Sequence, residues 1–175
     1  MKTSTVPTRA RWSRAVLALF ACVSASAALA QSSELPNRHD ALEGITTAGQ
    51  PSEAALSAAA KAGYKTVIDL RAPAEDRGLD EKKAVEALGM SYVNLPVAGA
   101  EGVTYENAEA LDKLLADLPK PVLLHCSSSN RVGALLALRA KENGADDQAA
   151  LDLGVSSGLA GLKPVVEKKL AEGHD

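Results

Sequence analysis

The stretch Val122-Leu123-Leu124-His125-Cys126-Ser127-Ser128-Ser129-Asn130-Arg131-Val132-Gly133 decides how the chain is read. Three apolar residues after Pro121 predict a short buried strand. From 133 to 143 the pattern turns helical, with Leu135, Leu136 and Leu138 apolar and Arg139, Lys141 and Glu142 polar. Between them lies a polar loop that opens on Cys126 and closes on Arg131. A loop feeding a helix N-terminus presents free backbone N–H groups and the positive end of the helix dipole, so it suits an anion. The same field favours a thiolate, which makes Cys126 a candidate nucleophile. Arg131 offers a planar, two-pronged donor to phosphate or sulfate oxygens. A thiolate and an anion cradle in one loop are what cysteine-based phosphate transfer needs. A lone Cys behind a strand is more often a small core hydrophobe. The company of His125, Arg131 and a following helix weighs against that reading here.

Outward from this centre the chain alternates. Ile45-Thr46-Thr47 predicts a first strand, Gly49-Gln50-Pro51 a turn, and Ser52 the cap of a helix over 53–62 that Gly63 ends. Residues 65–70 predict a second strand, 71–79 a loop, 80–88 a helix and 91–95 a third strand. Residues 96–104 read as a glycine-containing loop. An amphipathic helix over 105–118 buries Leu111, Leu114, Leu115 and Leu118. Beyond the central strand, helices are expected at 133–143, 146–153 and 164–171. The alternation predicts an α/β domain with a mostly parallel central sheet flanked by helices. Sites in such sheets lie beyond the carboxyl ends of the strands, where Cys126 falls.

Residues 1–30 carry Lys2, Arg9, Arg11 and Arg14, then an apolar run, then Ala28-Leu29-Ala30 before Gln31. This order is that of a secretory signal peptide, leaving residues 31–175 as one domain in the periplasm or secreted. Residues 31–38 read as a polar lead-in to that domain. Leu19-Phe20-Ala21-Cys22 loosely resembles a lipobox, but the run stays apolar up to Ala30. From Gln31 onward the formal charge is about −7, which disfavours nucleic acid and anionic membranes as partners. No stable membrane insertion is expected once the signal is cleaved. Cys126 is then the one cysteine, and His39, His125 and His174 are the only histidines, so no Cys/His metal site and no cofactor are expected.

Four stretches together resemble the bacterial dual-specificity/tyrosine-phosphatase-like family, met as the phosphatase-like domain of beta-lactamase-hydrolase-like proteins. They are Ala48-Gly49-Gln50-Pro51-Ser52; Ala62-Gly63-Tyr64-Lys65-Thr66-Val67-Ile68-Asp69-Leu70-Arg71 with Glu75; Tyr92-Val93-Asn94-Leu95-Pro96-Val97; and Leu124-His125-Cys126 to Arg131. The resemblance implies Cys126 as nucleophile, Arg131 as phosphate clamp, a sheet flanked by helices and no metal. The implied reaction is hydrolysis of a phosphate monoester, on a phosphorylated small molecule or phosphoprotein, through a phosphocysteine. Ser127, Ser128, Ser129 and Asn130 would bind substrate, mainly through backbone amides. His125 would support the loop or pack in the core, and Arg71 would pair with Glu75 or a helix end.

The departures from that family are specific. Four residues, not five, separate Cys126 from Arg131, and none is Gly. Asn130 is the expected substitute, since Asn tolerates the left-handed region. Val132 stands where a hydroxyl residue often follows the Arg. The 96–104 loop has no Asp, and Glu101 is its sole acid and the candidate proton donor. Two alternatives stand beside the phosphatase: a rhodanese-like sulfurtransferase, which the short loop suits, and a non-catalytic anion-binding or interaction module.

Overall fold

The computed structural model describes Met1 and residues 34–173. The signal peptide expected at 1–30 therefore lies, beyond Met1, outside the described residues. The chain divides between Ala30 and Gln31, and the strands and helices of the described residues belong to the unit Gln31–Asp175.

The strands are β1 His39–Leu42, β2 Ile45–Ala48, β3 Thr66–Asp69, β4 Ser91–Asn94 and β5 Val122–His125. The helices are α1 Glu53–Lys61, α2 Glu81–Ala87, α3 Tyr105–Asp117, α4 Asn130–Glu142, α5 Asp147–Ser156 and α6 Lys163–Glu172. The strands form a five-stranded sheet in the order β1-β2-β5-β3-β4, parallel except for β1, which runs antiparallel to β2. The mixed α/β architecture with a helix-flanked sheet is the one expected.

β5 is paired on both sides and buried throughout, which is why it reads as a continuous apolar run. Its residues alternate between the two faces. Leu124 packs with Ile68, Leu111, Leu115 and Leu135, while Leu123 packs with Leu56, Val67 and Val85. Behind α4 a further apolar cluster joins Tyr105, Ala137, Leu138, Ala150, Val166 and Leu170. The side chains of Ser52, Asp80, Thr104 and Asp146 each accept a first-turn N–H of the helix they begin.

The register brings three strand ends level. Ala48 of β2 and Asp69 of β3 both stand beside His125 of β5. The residues that follow each strand therefore emerge at one edge, and that edge carries the Cys126 loop.

Three expectations change, the first being that the helix expected over 146–153 runs on as α5 to Ser156, with Gly154 buried inside it instead of ending it. β1 is an edge strand that the sequence does not announce. His39-Asp40-Ala41-Leu42 has little β propensity, and a hairpin through Glu43 and Gly44 (φ +71°) pairs it with β2. The helix after the loop starts at Asn130 rather than at residue 133. Gly133 therefore sits within α4, where a Cβ would collide with the backbone of Gly154 and Leu159. Its lack of a side chain lets α4 and the end of α5 approach closely.

Candidate active site

Cys126 leaves β5 with its N–H donated to Ala48 O at 3.3 Å, and it is fully buried. The chain then turns through Ser127 and Ser128, both exposed, and Ser128 bridges Gly49. Ser129 takes the left-handed conformation, φ +67° and ψ −10°. The positive φ expected at Asn130 is thus found one residue earlier. Asn130 opens α4 instead and uses its side chain elsewhere: Oδ1 accepts Ala160 N–H at 2.8 Å and Leu162 N–H at 3.2 Å. The Ser129 side chain does not cap the first turn of α4, which leaves its N-terminal N–H groups to the loop.

Arg131, in that first turn, is almost wholly buried and points back across the loop. One terminal nitrogen donates to Glu75 Oε1 at 2.6 Å and to Val97 O at 2.9 Å. The other donates to Glu75 Oε2 at 2.8 Å and to Ser127 Oγ at 3.2 Å. Its hydrogen bonds to Glu75, with the Cys126 side chain nearby, favour its charged form over and above the opposing cost of burial.

Glu75 is shared. Arg71 Nε donates to its Oε2 at 3.1 Å and Ala72 N–H to its Oε1 at 2.8 Å. Arg131 foremost, and then Ala72 and Arg71, hold its carboxyl at about 2 against the opposing effect of burial. Arg71 is further held by Gln50 Oε1 at 2.5 Å and Asp76 O at 2.8 Å. The pairing of Arg71 with Glu75 is as expected; that Glu75 also grips the clamp arginine was not.

A buried polar layer lies behind the loop. His125 is fully buried, with Nδ1 3.4 Å from Cys126 O, a long contact. Its Nε2 lies 2.8 Å from Glu81 Oε1. Yet neither atom makes a well-directed hydrogen bond, so the approach is close but off-line. Glu81 Oε2 accepts Gln50 Nε2 at 3.1 Å. Asp69, fully buried, accepts Arg71 N–H at 2.7 Å, the Arg77 guanidinium at 2.6 Å and Tyr92 OH at 2.9 Å. Burial and the neighbouring Asp69 push the Tyr92 phenol upward, which keeps it a donor. Asp69, Glu81 and His125 could converge on a cation, their donor atoms lying within 4.8 Å of one another. Arg77 already supplies positive charge there, 3.7 Å from Glu81 and bonded to Asp69.

In front of the loop, Glu75, Gly99, Ala100, Ser127, Ser128, Asn130, Arg131 and Leu162 line an open cleft of about 340 Å³. Ser127, Ser128, Asn130 and Arg131 are thus together, whereas the Ser129 side chain turns inward to Ser157 O. Glu101 is exposed on the adjacent turn and does not line the cleft. Asp69 and Glu81 were not anticipated in this role. Asp69 ends a strand level with His125, but Glu81 looks like an ordinary helix-start acid after its cap Asp80.

Known proteins resemble this chain at two levels. The "Beta-lactamase hydrolase-like protein" of Agrobacterium fabrum (strain C58) is 33% identical over 100 residues, covering 55% of this chain and 23% of that protein. The chain thus spans about a quarter of the length of that relative. A candidate phosphatase from Neisseria meningitidis Z2491 superimposes with a TM-score of 0.64 at 20% identity, over 74% of this chain and 96% of that one. P. aeruginosa TpbA in complex with pTyr superimposes with a TM-score of 0.54 at 20% identity, over 78% and 91%. These likenesses establish the fold. The family described as DSP-PTPase phosphatase fused to NAD+ kinase matches residues 13–156, most of the chain. With Cys126 at the head of the loop after β5 and Arg131 in the first turn of α4, the chain belongs to that DSP-PTPase family.

Proposed function

We propose that this chain hydrolyses phosphate monoesters through a phosphocysteine on Cys126. The observation that carries the reading is the loop itself. Cys126 lies buried at the head of one short segment whose next residues, Ser127, Ser128, Asn130 and Arg131, line the cleft, with Arg131 beside the sulfur and the first turn of α4 following. The Cys126 thiolate attacks phosphorus as the P–O bond to the leaving group breaks. Arg131 and loop amides stabilise the charge on the transferring oxygens. Water then attacks the phosphocysteine, releasing inorganic phosphate and restoring the thiolate.

A proton is needed for the departing oxygen. Glu75 lies in the cleft, but at about 2 it is ionised near neutral pH and donates nothing. Glu101, on the turn beside Gly99 and Ala100, is the acid we assign, reaching the leaving group when substrate fills the cleft. Ser127, Ser128 and Asn130 face the substrate and Ser129 holds the loop from behind, with His125 supporting it. Val132 is buried and offers no hydroxyl to the departing thiolate, so hydrolysis of the phosphocysteine is the slower half.

The substrate is a phosphorylated small molecule or phosphoprotein. The pTyr bound by TpbA supports an aryl phosphate as first probe. The basic and then apolar leader ending Ala28-Leu29-Ala30 supports action in the periplasm or outside the cell. An aryl phosphate, a phosphopeptide and thiosulfate should be assayed with wild type and Cys126→Ser. Phosphate release should fall more than about a thousandfold in the variant. Release that survives the substitution refutes the covalent route, and turnover of thiosulfate alone would make the protein a sulfurtransferase.

A further inference from the structure

The loop has no glycine, yet it needs a left-handed residue and sets Ser129 there, at φ +67°. A residue with a Cβ is strained in that conformation unless its surroundings hold it. The surroundings come from the connection between α5 and α6. Ser129 Oγ donates to Ser157 O at 3.0 Å, and the same carbonyl accepts Thr47 Oγ1 from β2 at 2.9 Å. Opposite the Ser129 side chain stands Gly158, at φ +104°. A Cβ on Gly158 would lie 2.6 Å from both Cβ and Oγ of Ser129. The next loop residue is tied to the same connection, through Asn130 Oδ1 and the N–H groups of Ala160 and Leu162.

We propose that Ser129 and Gly158 form a coupled positioning pair, by which the Ser157 to Leu162 connection imposes the anion-binding shape on the Cys126–Arg131 loop. The glycine absent from the loop stands across from it, and the room it leaves is filled by the serine that took the loop position. The pair acts through the loop backbone and touches no substrate. This rests on the reading of the loop as a phosphate cradle.

The full chain should be compared as wild type, Ser129→Ala, Ser129→Gly, Gly158→Ala and the double variant Ser129→Gly/Gly158→Ala. Two readouts serve: the thermal midpoint, and affinity for orthovanadate, measured as protection of Cys126 from iodoacetamide. Ser129→Ala keeps the strained Cβ and loses its anchor, so vanadate affinity should fall about tenfold. Ser129→Gly removes strain and anchor together, so affinity should return to within about threefold of wild type. Gly158→Ala should weaken binding about tenfold in the wild-type background and about threefold in Ser129→Gly. The remainder of the effect is the cost of a Cβ at positive φ. Equal losses in the two backgrounds would overturn the coupling. Vanadate affinity unchanged in Ser129→Ala while its midpoint falls would overturn the positioning role, and this pair of measurements stands even if Gly158→Ala fails to fold. A wild-type chain that binds no vanadate would overturn the phosphate-cradle reading and this proposal with it, whereas normal binding without coupling overturns this proposal alone.

Discussion

Glu75 meets Arg131 through both carboxylate oxygens, at 2.6 and 2.8 Å, although 56 residues separate the two in sequence. The same carboxylate takes Arg71 at 3.1 Å, so one anion bridges two cations at the wall of the cleft. The arginine expected to grip phosphate is therefore held in place by a fixed acid. A freely rotating side chain would lose more conformational entropy on binding substrate.

That bridge has a pH signature. The folded carboxyl sits at about 2, below its ordinary value of 4.5. A lowered carboxyl contributes stability that is fully present above the ordinary value and is lost as pH falls toward the folded one. Wild type should therefore lose part of its stability between pH 4.5 and 2, and Glu75→Gln should lack that part. At neutral pH the variant should be destabilised by about 1–3 kcal/mol and should bind orthovanadate more weakly, because Arg131 is no longer held. Urea unfolding across this range checks it; identical curves for the two proteins would contradict the bridge.

The leaving group tests Glu101. Glu101→Gln should leave hydrolysis of an activated aryl phosphate within about threefold of wild type and slow an alkyl phosphate about a hundredfold, since only the poor leaving group needs a proton. Equal effects on both substrates would remove Glu101 from the role, and its exposed position off the cleft wall makes that comparison decisive.

The buried layer behind the loop should reveal itself in stability before activity. Asp69→Asn leaves the Arg77 guanidinium without its 2.6 Å carboxylate partner, in a place where Arg77 is only 13% exposed. Breaking one side of a buried ion pair costs about 3–5 kcal/mol. Denaturant unfolding of Asp69→Asn beside Tyr92→Phe separates the two contributions. Tyr92→Phe removes one neutral donor at 2.9 Å and should cost about 1 kcal/mol. Similar losses from both would mean that Asp69 is not serving as an ion-pair partner.

Much of the molecule is legible in the sequence because the signals are local. The apolar run before Cys126, the Leu spacing of 111, 114, 115 and 118, and the caps Ser52 and Asp146 each act within a turn or a strand of themselves. These suffice for a parallel α/β sheet and for Cys126 and Arg131 in one loop after a strand. β1 escaped because His39-Asp40-Ala41-Leu42 becomes a strand only when β2 offers it an edge. The start of α4 escaped because three serines and an asparagine carry no helical period.

By itself, then, the sequence determined the order of the parallel strands and the helices and the chemistry of one loop, since both are written in neighbouring residues. Tertiary structure decided which residue of that loop takes positive φ. Ser129 does so because Ser157 O and the space above Gly158 receive its side chain, and Asn130 does not because its amide oxygen is drawn to Ala160 and Leu162. Tertiary structure also chose Glu75 as the partner of Arg131, and set Asp69 beside His125 through the register of β3 on β5. A single polar side chain carries no record of its partner, and only the sheet that aligns distant strand ends brings such groups within hydrogen-bonding reach.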